Sequence, residues 1–139
     1  MNTLICIEII IVVCIVSAII VKFASTLYSI LEGEMVELCV KLERGQLERN
    51  VHFSIHSQSD TAQVDADFIA LHLSLALRPD ESQRCFIIKT LDDSLVEGEE
   101  SFQVVLVSHD PAVIVSTPGT AHINIHDSDS KPRLINFPP

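Results

Sequence analysis

Twelve of the nineteen carboxylates in this sequence fall in four short segments, Glu32–Glu34, Gln58–Ile69, Asp92–Ser101 and Asp127–Asp129. No Lys or Arg lies in any of the four. Carboxylates gathered without cations suit the holding of a hard metal ion. Calcium takes about six to eight oxygen ligands, accepts bidentate carboxylates and tolerates irregular geometry. Magnesium demands a stricter octahedron and keeps waters. Zinc would want Cys or His, and none lies inside these segments, although His126 adjoins the last of them.

Other chemistry has less to stand on. There is no G-x-S-x-G, no H-E-x-x-H and, with four glycines in all, no glycine-rich phosphate loop. Asp93 and Glu97 could imitate a glycosidase dyad. So many acids without an aromatic sugar platform point to charge binding, and the chain reads as a non-enzyme. His52 and His56, and His122 and His126, are spaced to share a strand face. Four residues of strand span ~13 Å, too far for one ion to bridge either pair, so these read as exposed polar positions. Nine Lys and Arg against nineteen acids leave nothing to drive binding to a nucleic-acid backbone.

The elements that must position the acids follow from length and patterning. The chain has 139 residues, 47% of them hydrophobic, and a formal net charge of −10. The apolar excess is local. Only Glu8 and Ser17 interrupt the run Leu4–Val21. That run predicts a helical hydrophobic segment over residues 1–21, a membrane anchor or a signal-like leader. Cys6 and Cys14 within it read as small apolar residues. The remainder is long enough to bury a core of its own.

From residue 35 onward the pattern is alternation, not helical periodicity. Val36, Leu38, Val40 and Leu42 share one face of a strand, as do Val51, Phe53 and Ile55. Leu71–Leu77, Arg84–Leu91, Phe102–Val107 and Thr120–His126 alternate in the same way. A further strand near Leu27–Leu31 precedes Gly33. Seven short strands separated by turn residues predict an all-β, seven-stranded antiparallel sandwich. If successive strands run in opposite directions, the four acidic segments all emerge at one pole. The other connections carry five acids and four arginines. Carboxylates converging from four loops repel one another until a cation neutralises them.

The residues of these segments resemble the Calx-beta domain. Thr90-Leu91-Asp92-Asp93 followed by Glu97-Gly98-Glu99-Glu100-Ser101-Phe102 is similar to its central signature of a strand end, tandem Asp, Glu-x-x-Glu and Phe. Tyr28-Ser29-Ile30-Leu31-Glu32-Gly33 resembles its opening pattern, Asp60-Thr61-Ala62 with Asp67-Phe68 its middle segment, and Ile123–Asp129 its closing strand and acidic tail. Asp60 stands where the family pattern has Gly, and Ser128 replaces the middle Asp of the tail. The resemblance implies an immunoglobulin-like Greek-key sandwich whose distal loops bind calcium. Its implied metal ligands are Glu32, Asp67, Asp92, Asp93, Glu97, Glu100, Asp127 and Asp129. The family places the strands of Cys39 and Cys85 side by side, so a cross-strand disulfide is open to them, two free thiols being the simpler state.

Leu134–Phe137 aligns with Ile20–Phe23 at a spacing of 114 residues. Such modules often stand in tandem, so the expected domains are the hydrophobic segment 1–21, a sandwich over 22–130, and a linker with the start of a following repeat over 131–139. Arrays of this kind imply a calcium-binding module of a larger membrane or extracellular adhesion-type protein, with neighbouring repeats or an adhesion partner as contacts and the sandwich outside the cell. The alternatives are a cytosolic calcium-sensing regulatory domain of an ion exchanger, or a metal-free acidic interaction domain.

Overall fold

A computed structural model of the chain describes residues 4–8, 12–16, 18–92 and 98–127. The expected N-terminal helix is replaced by a hairpin of β1 (Leu4–Glu8) and β2 (Val12–Val16), paired antiparallel from Leu4↔Val16 to Glu8↔Val12. The residue types account for the correction. Ile5, Ile7, Val12, Val13, Ile15 and Val16 are β-branched, stiff at χ1 and at ease on a pleated surface. Among the described residues no helix is long and apolar enough to cross a membrane.

Nine further strands build the sandwich, two more than expected: β3 (Ile19–Phe23), β4 (Leu27–Leu31), β5 (Met35–Arg44), β6 (Val51–Ser59), β7 (His72–Leu77), β8 (Gln83–Lys89), β9 (Glu100–Ser108), β10 (Val113–Val115) and β11 (Thr120–His126). They form one sheet in the order β10-β3-β5-β8 and a second in the order β4-β11-β9-β6-β7. The sheets are mixed, not wholly antiparallel, because β10 pairs with β3 and β11 with β4 in parallel.

Both unexpected strands are halves of strands that change sheets. β3 becomes β4 across Ala24–Thr26, and β10 becomes β11 across Ser116–Gly119, with a cis bond at Thr117-Pro118. The two split strands lie side by side in each sheet. Across the crossing, Ser116 N–H donates to Val21 O at 2.8 Å and His122 N–H to Thr26 O at 2.9 Å. A strand that changes sheets does not turn round. Ile20 lies opposite Arg44 at one end of β5, whereas the turn after β4 meets Thr90 beside the other end. The two additions therefore leave the alternation of poles intact.

Between the sheets lie the alternating apolar side chains. Val21, Leu38, Val40, Val51, Phe53, Ile55, Leu77, Phe102, Val104 and Ile123 are inaccessible to solvent. Cys39 and Cys85 are register partners on β5 and β8 and form a disulfide, with Cα atoms 4.0 Å apart. The two free thiols of the simpler expectation are thus corrected. The reason is register, which sets the pair directly opposite on the outer face of its sheet.

The pole away from the acidic loops is held by ion pairs. Arg84 Nη1 lies 3.2 Å from Glu81 Oε2, and Arg49 Nη1 lies 2.6 Å from Asp110 Oδ2. The hydrogen bond from Arg49, with a second from Ala112 N–H, holds the Asp110 carboxyl below its ordinary value of 3.8. A carboxylate whose pKa is lowered by folding stabilises the fold above that ordinary value, and loses the contribution as pH falls through the lowered one. Asp110→Asn is therefore expected to lower the urea midpoint slightly at pH 7. The gap to the parent chain should close as pH drops below 3.8.

Candidate metal centre

The turn after β4 begins the acidic pole. Gly33 has φ +89°, a left-handed conformation that suits glycine, and a Cβ placed on it would lie 2.9 Å from the Cβ of Asp92. Thr90 holds the turn down. Its Oγ1 accepts from Gly33 N–H at 2.9 Å and donates to Glu34 O at 2.7 Å. Glu32 N–H donates to His126 O at 2.8 Å, which joins the turn to the end of β11. Glu32 and Asp127 are thereby fixed beside one another. Gly33→Ala brings both the φ penalty and the contact with Asp92. It is expected to cost more than about 1 kcal/mol of stability by denaturant titration.

The segment after β6 supplies the third carboxylate. Asp65, at φ 69°, turns the chain, and Asp67 Oδ2 accepts from Gln63 N–H at 2.8 Å. Asp67 O accepts from Leu91 N–H at 2.8 Å, and Ala62 N–H donates to Ser101 O at 2.8 Å. These bonds tie the loop to the end of β8 and the start of β9. Asp60, where the family pattern has Gly, accepts from Ser101 Oγ at 3.1 Å without a left-handed φ.

Glu32, Asp67 and Asp127 are only 8%, 7% and 7% exposed. That degree of burial is unusual for carboxylates, which are rarely enclosed unless a partner offsets the loss of water. With the half-buried Glu100, Gly98 and Ile125 they line one cavity of about 10 Å3. That is close to the space for a single water-sized sphere. The four sequence-predicted ligands Glu32, Asp67, Glu100 and Asp127 thus come from four different loops to one point. Asp92 does not line this cavity; it is exposed and lies against Gly33. Asp93, Glu97 and Asp129 lie outside the described residues, as does the segment Leu134–Phe137 of the expected second repeat.

The other acids of this pole have separate tasks. Glu34 Oε1 accepts from Leu31 N–H at 2.8 Å and closes its own turn, while Glu99 Oε2 lies 3.6 Å from His126 Nε2. Among the described residues no three Asp, Glu, His or Cys side chains are already drawn together as a metal-binding group. The donor set nevertheless fits calcium: all oxygen, mostly carboxylate, and sited on loops whose backbone is pinned. Thr90 stood in the central signature, but its role in holding the turn was not read from the sequence. Its signal was a hydroxyl at the strand end just before the tandem aspartates, where a side chain can bond the neighbouring turn.

The comparisons with known proteins bear on the family and the fold. The Calx-beta domain model matches residues 16–129. The crystal structure of the apo form of the Calx CBD1 domain superposes with a TM-score of 0.76 at 26% identity, covering 81% of this chain and 99% of that one. The CBD12 structure from CALX1.2 gives a TM-score of 0.74 at 26% identity, covering 79% of this chain and 46% of the other. A calcium binding domain CBD12 of CALX1.1 matches at 0.73 and 26%, over 78% of this chain and 44% of its own length. The chain thus spans less than half of either CBD12.

Proposed function

The chain belongs to the Calx-beta domain family, and from that premise we propose that its acidic pole binds calcium, as a module of a larger membrane or extracellular adhesion-type protein. The observation that carries the proposal is the convergence of Glu32, Asp67, Glu100 and Asp127 on one ion-sized cavity. Bound there, calcium supplies positive charge that offsets the mutual repulsion of the carboxylates. Glu32 and Asp127 would hold it from adjacent strand ends, Asp67 from the turn capped by Gln63, and Glu100 from the start of β9. Asp92, Asp93, Glu97 and Asp129 complete the implied ligand set. Joining four loops through one ion stiffens that end of the sandwich, where a neighbouring module or an adhesion partner would meet it.

The Cys39–Cys85 disulfide supports a place outside the reducing cytosol. The likeness to Calx CBD1 supports the second reading, a cytosolic calcium-sensing regulatory domain of an ion exchanger. A glycosylation acceptor appended to the C-terminus separates the two, since only a lumenal or extracellular sandwich acquires the glycan. Calcium binding itself is tested by titration calorimetry of the full chain with calcium chloride. Saturable heat is expected, with an affinity in the range of about 10⁻⁴–10⁻³ M for an extracellular module. No heat with millimolar calcium would leave the metal-free interaction domain as the better reading.

A further inference from the structure

All six histidines of the chain reach the outer face of the five-stranded sheet. His52, His56, His72, His122 and His126 alternate with buried or half-buried residues on β6, β7 and β11, and His109 Nε2 lies 2.8 Å from Ser54 Oγ on the same face. The outward positions of β4, β11, β9, β6 and β7 carry no Lys, Arg, Asp or Glu. One pair of these histidines is adjacent. His56 of β6 and His72 of β7 are direct register partners.

The hydrogen bonding on either side says how close they stand. Ser57 N–H donates to Leu71 O at 2.9 Å, so the neighbouring pair Ser57 and Leu71 occupies a hydrogen-bonded position. Positions alternate along an antiparallel ladder, so His56 and His72 occupy a non-hydrogen-bonded one. There the Cα atoms are about 4.5 Å apart and the side chains closest. Two imidazoles rooted at that spacing can put one ring nitrogen each on a single ion at about 2.0–2.1 Å. The pair also borders a hollow of about 520 Å3 with Ser57, Ser59, Val64 and Phe68, open enough for further ligands such as water.

We propose that His56 and His72 form a two-histidine site for a divalent transition metal such as zinc or copper, sharing no residue with the carboxylate cavity. Imidazole nitrogen suits these ions and not calcium, whose preference is for oxygen, so the two sites sort ions by donor type. The outward strand positions around the pair offer no carboxylate to compete and no cation to repel. Two protein ligands leave coordination positions for water or for a group on another molecule. Metal binding requires a free imidazole nitrogen lone pair from each ring, so metal and protons compete for the site.

The test is calorimetric titration of the full chain with zinc chloride, without reductant, in calcium high enough to occupy the carboxylates. One zinc per chain is expected. His56→Gln and His72→Gln should each weaken binding about tenfold or more, and His122→Gln should leave it unchanged. Both variants sit at accessible positions and should keep the parent melting midpoint in the absence of zinc. On the unaltered chain, copper(II) should give a paramagnetic resonance spectrum with coupling to two nitrogens. Zinc binding that persists in the double variant, zinc binding abolished by Asp127→Asn instead, or no zinc binding at all would overturn the assignment.

Discussion

Calcium at about a hundredfold its dissociation constant is expected to raise the thermal midpoint of this chain by about 10 °C. An ion that binds the folded state alone stabilises it by RT ln(1 + [L]/Kd), about 2.7 kcal/mol per site at that excess. For a domain of this size each kcal/mol moves the midpoint by about 4 °C. The gain should depend on the buried carboxylates. Asp67→Asn and Asp127→Asn keep the size of each side chain, and asparagine at 67 can still accept from Gln63 N–H through its amide oxygen. Each variant should melt without calcium at or above the parent chain, because one of several crowded negative charges is gone. Each should lose most of the calcium gain. A gain that survives both substitutions, or one reproduced by equal magnesium, would show ionic screening in place of a calcium site. An apo variant melting well below its parent would assign the carboxylates a structural role without metal.

Where the acids meet was legible because it rests on parity, and parity needs only the number of chain reversals. The two strands beyond the expected seven are split halves that do not reverse the chain, so Glu32, Asp67, Glu100 and Asp127 still fall at one pole. The strands themselves were harder to see. Val113–Val115 is three residues long, too short for an alternation to declare itself. Ile19–Phe23 overlaps the end of the apolar run, where period two and period 3.6 look alike. The same ambiguity hid the hairpin Leu4–Val16 behind an expected helix; its β-branched residues were the better guide. Contacts set by register were out of reach. Which residue of β6 faces His72 depends on loops that no periodicity measures, and Cys39 was open as a partner of Cys85 only through the family resemblance.

Phe102→Ala is expected to cost about 3–5 kcal/mol, the range for truncating a fully buried Phe. The position joins the core to the site. Phe68 and Phe102 are both inaccessible to solvent, and their rings stack with centroids 3.8 Å apart and planes 8° from parallel. Phe68 follows Asp67 directly, and Phe102 lies two residues after Glu100. The stack therefore sits beneath two of the four converging loops and fixes their separation from inside. Removing either ring should weaken calcium binding as well as lower the denaturant midpoint, although neither touches an ion. Phe102→Leu retains much of the buried area but not the stacking, and should recover most of the stability with less of the affinity. A double-mutant cycle between Phe68→Leu and Phe102→Leu should return a coupling of about 0.5–1.5 kcal/mol. Additive losses, or calcium affinity unchanged in Phe102→Ala, would mean that the loops are set by their hydrogen bonds to Thr90, Gln63 and Ser101 and not by the ring pair below them.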